Sequence, residues 1–229
     1  MKMKKLHLLA LVALIMLGLS GCEKATVTNE ASADVYVEAI KNAQGVTAYI
    51  AIHSVISYNG NISSVSVKAP DATIKQLVGD AVDTGYSFYN SPAETEYLTT
   101  LPLAGVYTYT VKFTDGEEKI YTNTLTAATI LPTTITSLAK SANADSVYVS
   151  WNAIAGAHAY KLIVMKGTTR VSASYPFTIV VPKIGMPIAN IYASGAGVYT
   201  FKIIGLFYES TVTYDYLQAI STTKSDISL

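Results

Sequence analysis

Beyond residue 21 this 229-residue chain carries two imidazoles, His53 and His158, and one thiol, Cys22. Nucleophilic catalysis needs a base within hydrogen-bond reach of the nucleophile. With the histidines about a hundred residues apart, such a site would have to assemble between distant parts of the chain. His53 stands on the strand face opposite Val46, Ala48, Ile50 and Ile52, where a surface or hydrogen-bonded side chain is the plain expectation. Neighbouring carboxylates occur as Glu94 with Glu96 and Glu117 with Glu118. Glycoside hydrolysis needs two carboxyls facing each other across a cleft, and the pattern suggests no cleft-forming fold. Asp80 and Asp83 are the nearest approach to an acidic cluster, and no histidine-pair or EF-hand spacing accompanies them. Neither a metal nor a cofactor is expected.

One segment concentrates side chains suited to recognition rather than reaction. Gly85-Tyr86-Ser87-Phe88-Tyr89-Asn90-Ser91-Pro92 is followed by Glu94, Glu96 and Tyr97. Aromatic rings interleaved with polar groups can stack on sugar faces or pack on a partner protein. Tyr86, Tyr89 and Tyr97 are the candidate ligand-binding residues. Strand alternation offers a second reading and favours it: Tyr86 and Phe88 fill a core while Tyr89 stands outside.

The amino terminus bears on location. Lys2, Lys4 and Lys5 precede fourteen uncharged residues, Leu8 to Gly21. At 1.5 Å per residue such a run is too short for a hydrocarbon core of about 30 Å, so it reads as an export signal. It ends in Leu19-Ser20-Gly21-Cys22, which resembles the lipobox of bacterial lipoproteins. The resemblance implies cleavage before Cys22 and acylation of its thiol and new amino group. Each buried methylene contributes about 0.8 kcal/mol and one chain holds only marginally, so two or three chains make a durable anchor. Glu23, rather than Asp, follows the cysteine, which in such a lipoprotein favours the outer membrane; the mixed Glu23-Lys24 fits a surface-export signal poorly. Which side of that membrane the body faces stays open.

Composition removes other classes. Sixteen basic residues balance sixteen acidic ones, and a chain starting at Cys22 would carry 13 against 16, a formal charge of −3 on 208 residues. That balance does not steer a protein toward nucleic acid or anionic headgroups, so membrane contact would come from lipid. A lone cysteine excludes a disulfide-stapled miniprotein and a cysteine-ligated zinc module.

The elements that must position these residues are strands. Ala104-Gly105-Val106-Tyr107-Thr108-Tyr109 returns as Ala196-Gly197-Val198-Tyr199-Thr200-Phe201, 92 residues later, a period the size of one immunoglobulin-like sandwich. Residues 22–33 read as lipidated terminus and flexible linker, 34–131 and 133–229 as two tandem sandwiches meeting at Pro132. Tyr107, Tyr109, Val111 and Phe113 alternate with polar residues, and Asp115-Gly116 supplies a hairpin turn. Asp34 to Ile40, Val46 to Ile56 and Ser63 to Lys68 read as earlier strands. Ile74 to Val82 has helical spacing, but Gly79 and its surroundings favour a strand.

In the second copy, Val147, Val149 and Trp151, then Ala157-x-x-Tyr160, then Gly197 to Ile203, resemble the second, third and sixth strands of fibronectin type III modules. The resemblance implies a buried Trp151. The stretch from Ser172 to Ser194, with Pro176, Pro182 and Pro187, departs from it. Leu101 to Tyr107 looks like the corner in which a tyrosine hydroxyl bonds back to upstream backbone, and Tyr107 and Tyr199 are expected there. The expectation is thus an all-β pair of immunoglobulin-like sandwiches behind a lipoprotein signal peptide. It would act as a non-enzymatic binding or adhesion module for a glycan or protein partner. A structural subunit of an envelope assembly is the alternative, and a hydrolase the least favoured.

Overall fold

The computed structural model describes residues 28–41, 44–80, 83–143, 145–178, 181–192, 195–212 and 216–229. Cys22 and the apolar run before it lie outside these residues. The alternation that marks the strands also sorts their faces. In the first half β1 (Glu30–Lys41), β2 (Thr47–Asn59), β3 (Ile62–Lys68), β4 (Ile74–Gln76), β5 (Val78–Gly79), β6 (Ser87–Tyr89), β7 (Gly105–Phe113) and β8 (Glu118–Leu125) follow in order. The second half contributes β9 (Ile135–Lys140), β10 (Ser146–Trp151), β11 (Ala159–Lys166), β12 (Thr169–Ala173), β13 (Lys183–Pro187), β14 (Val198–Tyr208) and β15 (Leu217–Ser228). The protein is all-β and immunoglobulin-like, apart from single helical turns at Glu94–Glu96 and Ala189–Tyr192.

Three sheets result. A four-stranded sheet runs β4-β3-β7-β8, a three-stranded sheet runs β13-β10-β9, and an eight-stranded sheet runs β12-β11-β14-β15-β1-β2-β6-β5. The large sheet draws strands from both halves. Its seam is a parallel pairing of Val37–Ile40 on β1 with Ala219–Thr222 on β15. Ala39, Ala219 and Ser221 are fully buried there, and a Cβ on Gly205 would come within 2.7 Å of Ile154, so small residues let the layers close. The backbone N–H of Leu217 donates to Asp34 Oδ2 at 3.3 Å, tying the start of β15 to β1.

Paired residues of neighbouring strands share a face. Val37 and Ala39 therefore lie on the same side as Ala219 and Ser221, and both smaller sheets cover that side with one continuous core. In the first half Val35, Val37 and Val55 meet Tyr107, Tyr109, Val111 and Phe113. In the second, Val147, Val149 and Trp151 meet Leu162, Val164, Tyr199 and Phe201. A smaller cluster of Ala159, Leu206 and Ile220, with Tyr36 packed on it, lies apart from that core.

One expectation, the flexible linker reaching to residue 33, needs correction, and two others are sharpened. His53 is buried on the core face of β2, its Nδ1 3.0 Å from Tyr109 Oη, so it is the hydrogen-bonded side chain and not the surface one. The opposite face, with Ala48 and Ile52, is covered too, which is why apolarity alone did not separate them. Glu30–Ala33 belong to β1 rather than to a flexible stalk, because Tyr121 Oη accepts the Ala31 N–H and Asn123 donates to the Ala33 carbonyl. From Ile74 to Gly79 the expected strand splits into β4 and β5, which belong to different sheets, with buried Leu77 between them, and residues 81–82 lie outside the described ones. Tyr107 Oη donates to Leu103 O at 3.0 Å and Tyr199 Oη to Gly195 O, so each half has its tyrosine corner.

Candidate functional site

Sheet register places Tyr36, Glu38 and Ile40 of β1 beside Ile52 and Ser54 of β2, and beside Thr222 of β15, on the face turned away from the core. A cleft of about 710 Å³ opens there, walled by Tyr89 to Pro92, Glu94 and Tyr97 from one side and by Thr133 to Ile135, Lys202 and Thr222 to Ser225 from the other. It straddles the seam. Neither half makes it alone, since Tyr89 and Tyr97 come from the first half and Lys202, Thr222 and Lys224 from the second.

One asparagine starts the wall. The Asn90 side chain copies a strand partner on β2: Oδ1 accepts the His53 N–H at 2.6 Å and Nδ2 donates to Ala51 O at 2.9 Å. β6 ends at that point, and the chain leaves the edge of β2 until Leu98 pairs again with Tyr49. The excursion between them is stiffened by Pro92 and by a turn in which Glu96 Oε2 accepts the Ala93 N–H at 2.8 Å. Its far side reaches across the seam. Tyr97 Oη donates to Glu38 Oε2 at 2.7 Å, Thr222 Oγ1 donates to Glu38 Oε1 at 2.6 Å, and Lys224 pairs with Glu94.

Burial first, and the Glu38 carboxylate second, push the Tyr36 and Tyr97 phenols well above their ordinary range. Both stay neutral donors at any physiological pH. The cleft therefore offers aromatic rings, neutral hydroxyls and lysines over an isoleucine floor. Among the described residues no imidazole or thiol lines it, and its two carboxylates, Glu38 and Glu94, already hold its walls together.

No family model and no curated protein matches the chain. Solved structures of similar outline include a cytokine receptor complex, 13% identical over 86% of this chain and 96% of that one, with a TM-score of 0.32. A tetra-tandem repeat from the extending region of a large adhesion protein is 12% identical over 87% of this chain and 50% of that one, at 0.27. A mouse coronavirus receptor-binding domain complexed with its murine receptor is 10% identical over 86% of this chain and 98% of that one, at 0.23. Likeness at this level carries no argument about a ligand.

The structure brings two of the three candidate tyrosines together. Tyr89 and Tyr97 line the cleft, whereas Tyr86 is half exposed outside it; Phe88 packs inward. The alternation reading was right about Phe88 and not about Tyr86. Sequence reading missed Tyr36, Glu38, Lys202 and Thr222, whose common site depends on a pairing between the two ends of the chain. It also missed the cleft itself. His158 lies elsewhere, its Nδ1 accepting the Tyr208 N–H at 3.2 Å, and His53 is occupied in the first core.

Proposed function

We propose that this protein is a lipid-anchored, non-enzymatic capture module that holds a glycan in the cleft across its seam. A single observation carries the reading: rings, neutral hydroxyls and lysines converge in a preformed 710 Å³ cleft, and its carboxylates are engaged as structural ties. Sugars present apolar C–H faces and many hydroxyls, and such a surface matches both. The lipobox-like Leu19-Ser20-Gly21-Cys22 supports anchoring through Cys22 in a bacterial outer membrane, with the two sandwiches divided near Pro132.

The experiment is a glycan array probed with the full chain in detergent, alongside Tyr89→Ala. Binding by the parent that Tyr89→Ala abolishes supports the cleft; no glycan bound, with crosslinking to a protein neighbour in native membranes, turns the reading to a protein partner. The anchor is tested apart from it. Cys22→Ser should lose palmitate incorporation and leave the membrane fraction, and a variant that partitions like its parent removes the anchor.

A further inference from the structure

The cleft contains an electrostatic conflict. Lys202 on β14 and Lys224 on β15 are directly paired across the two strands and share the cleft face. Side chains so placed have Cβ atoms about 4.5–5.5 Å apart, and like charges there destabilise a sheet. Glu94 reaches across the seam to answer Lys224. Nothing among the described residues answers Lys202, and Lys41 at the end of β1 also lines the cleft without an ion pair. Two further carboxylates lie near, and neither is in ion-pair contact with Lys202. Glu38 accepts from Tyr97 and Thr222, and Asp226, two pairs further along, accepts from Thr200 Oγ1 at 2.6 Å. Three lysines face two glutamates along the cleft, Asp226 flanks its Lys202 end, and among the described residues Lys202 has no carboxylate in ion-pair contact.

Resting on the glycan reading above, we propose that the ligand is an acidic saccharide whose uronate carboxylate sits against Lys202. The hydroxyls of Ser54, Ser91 and Thr134 and the ring of Tyr89 are left for the sugar's own hydroxyls and C–H face. A lysine suits this task, since its ammonium is a point charge that accepts a carboxylate from several directions and leaves the sugar ring free to settle on the aromatic wall. An acidic peptide would satisfy the charge but not the row of hydroxyls.

The test is titration calorimetry on the full chain in detergent with galacturonate and glucuronate oligomers, neutral gluco-oligosaccharides of equal length, and a polyglutamate peptide. Uronates should bind at least about tenfold tighter than the neutral sugars, an advantage that shrinks as salt rises. Lys202→Gln should remove about that factor, since a hydrogen bond to a charged group is lost. The same variant should melt at the parent's temperature or above, because it relieves the Lys202–Lys224 opposition. Equal affinity for acidic and neutral sugars overturns the inference and leaves a glycan cleft standing. Tighter binding of polyglutamate, or a lower melting temperature for Lys202→Gln, also overturns it. If the parent binds no saccharide, the capture reading falls with it.

Discussion

The two halves close their sandwiches on different pivots. In the second half the pivot is apolar: Trp151 on β10 meets Tyr160 at 5.3 Å between ring centroids and Phe177 at 6.4 Å, both edge-on. In the first half a buried polar chain links β1, β2 and β7 instead. Tyr109 Oη lies 3.1 Å from Asp34 O and 3.0 Å from His53 Nδ1. A carbonyl only accepts, so the phenol proton goes to Asp34 O, and His53 must carry its proton on Nδ1 to complete the second bond. One half is held by contact area and the other by directional bonds that fail if any member is lost. The same strand order tolerates either because the seam, not the pivot, joins the two halves of the continuous core.

The sharpest way to break this comparison is to remove the apolar pivot. Trp151→Ala should cost about 3–5 kcal/mol in denaturant unfolding, the range for deletion of a buried aromatic. Because β15 and β1 share a sheet, both halves should unfold in one transition in the variant as in the parent. A loss below about 1 kcal/mol would mean that the indole is not packed between the sheets.

Removing one member of the polar pivot should cost somewhat less. Tyr109→Phe keeps the ring and strands two buried groups, the Asp34 carbonyl and the His53 Nδ1–H, for about 2–3 kcal/mol. In a cycle with His53→Leu the double variant should lose clearly less than the sum, since each deletion leaves the same gap. Strict additivity would show the imidazole and phenol to be energetically independent.

The pivots should also differ in their response to acid. Burial pushes the Asp34 carboxyl up to about 6, against hydrogen bonds from Leu217 and Val35 that pull it down. Burial, helped by Lys75, pushes the His53 imidazole down to about 4. A carboxyl raised in the folded state favours folding fully below its unfolded value of 3.8, and that contribution disappears as pH rises through about 6. The lowered imidazole contributes above its unfolded value of 6.5 and loses that contribution as pH falls toward about 4. The two slopes oppose each other between about pH 4 and 6, each worth on the order of 3 kcal/mol, so the parent's stability should change little there. Asp34→Asn should uncover a steady loss on acidification, and His53→Leu a gain. Identical pH profiles for both variants would show that neither group titrates with folding.

What the sequence discloses about this fold is what it encodes over short distances. The alternation from Tyr107 to Phe113 and the turn at Asp115-Gly116 become β7, β8 and the hairpin between them, with Gly116 at a φ of +95° that suits a residue without a side chain. The inward face of Trp151 follows from its neighbours in the same way. Legibility stops where an outcome depends on a distant partner. β2 is covered on both faces, one in the core and the other under the Asn90 to Tyr97 excursion, so its pattern put His53 opposite Ile52 without showing which of the two faces is the core. The cleft depends on β1 pairing with β15, and no local signal in either strand specifies that parallel register. Tyr89 and Tyr97 were visible as types; Glu38 and Lys202 became a site only through the seam.

The smallest effect concerns the feature the halves share. Tyr107 Oη and Tyr199 Oη each donate to the carbonyl four residues upstream, Leu103 O and Gly195 O, and each ring is buried at the start of a strand that crosses the middle of its sheet. A phenylalanine would keep the ring and lose one neutral hydrogen bond, so Tyr107→Phe and Tyr199→Phe should each cost about 1 kcal/mol. The two losses should match and add, since the corners share no partner and belong to different halves. They also separate local from long-range stabilisation: a corner closes within one turn of chain and owes nothing to the pivot beneath it. If Tyr107→Phe proved much costlier than Tyr199→Phe, the excess would have to come from the His53 ring, whose centroid lies 5.1 Å from that of Tyr107. The polar pivot would then extend into the corner, and the equivalence of the two repeats would hold for backbone geometry but not for energy.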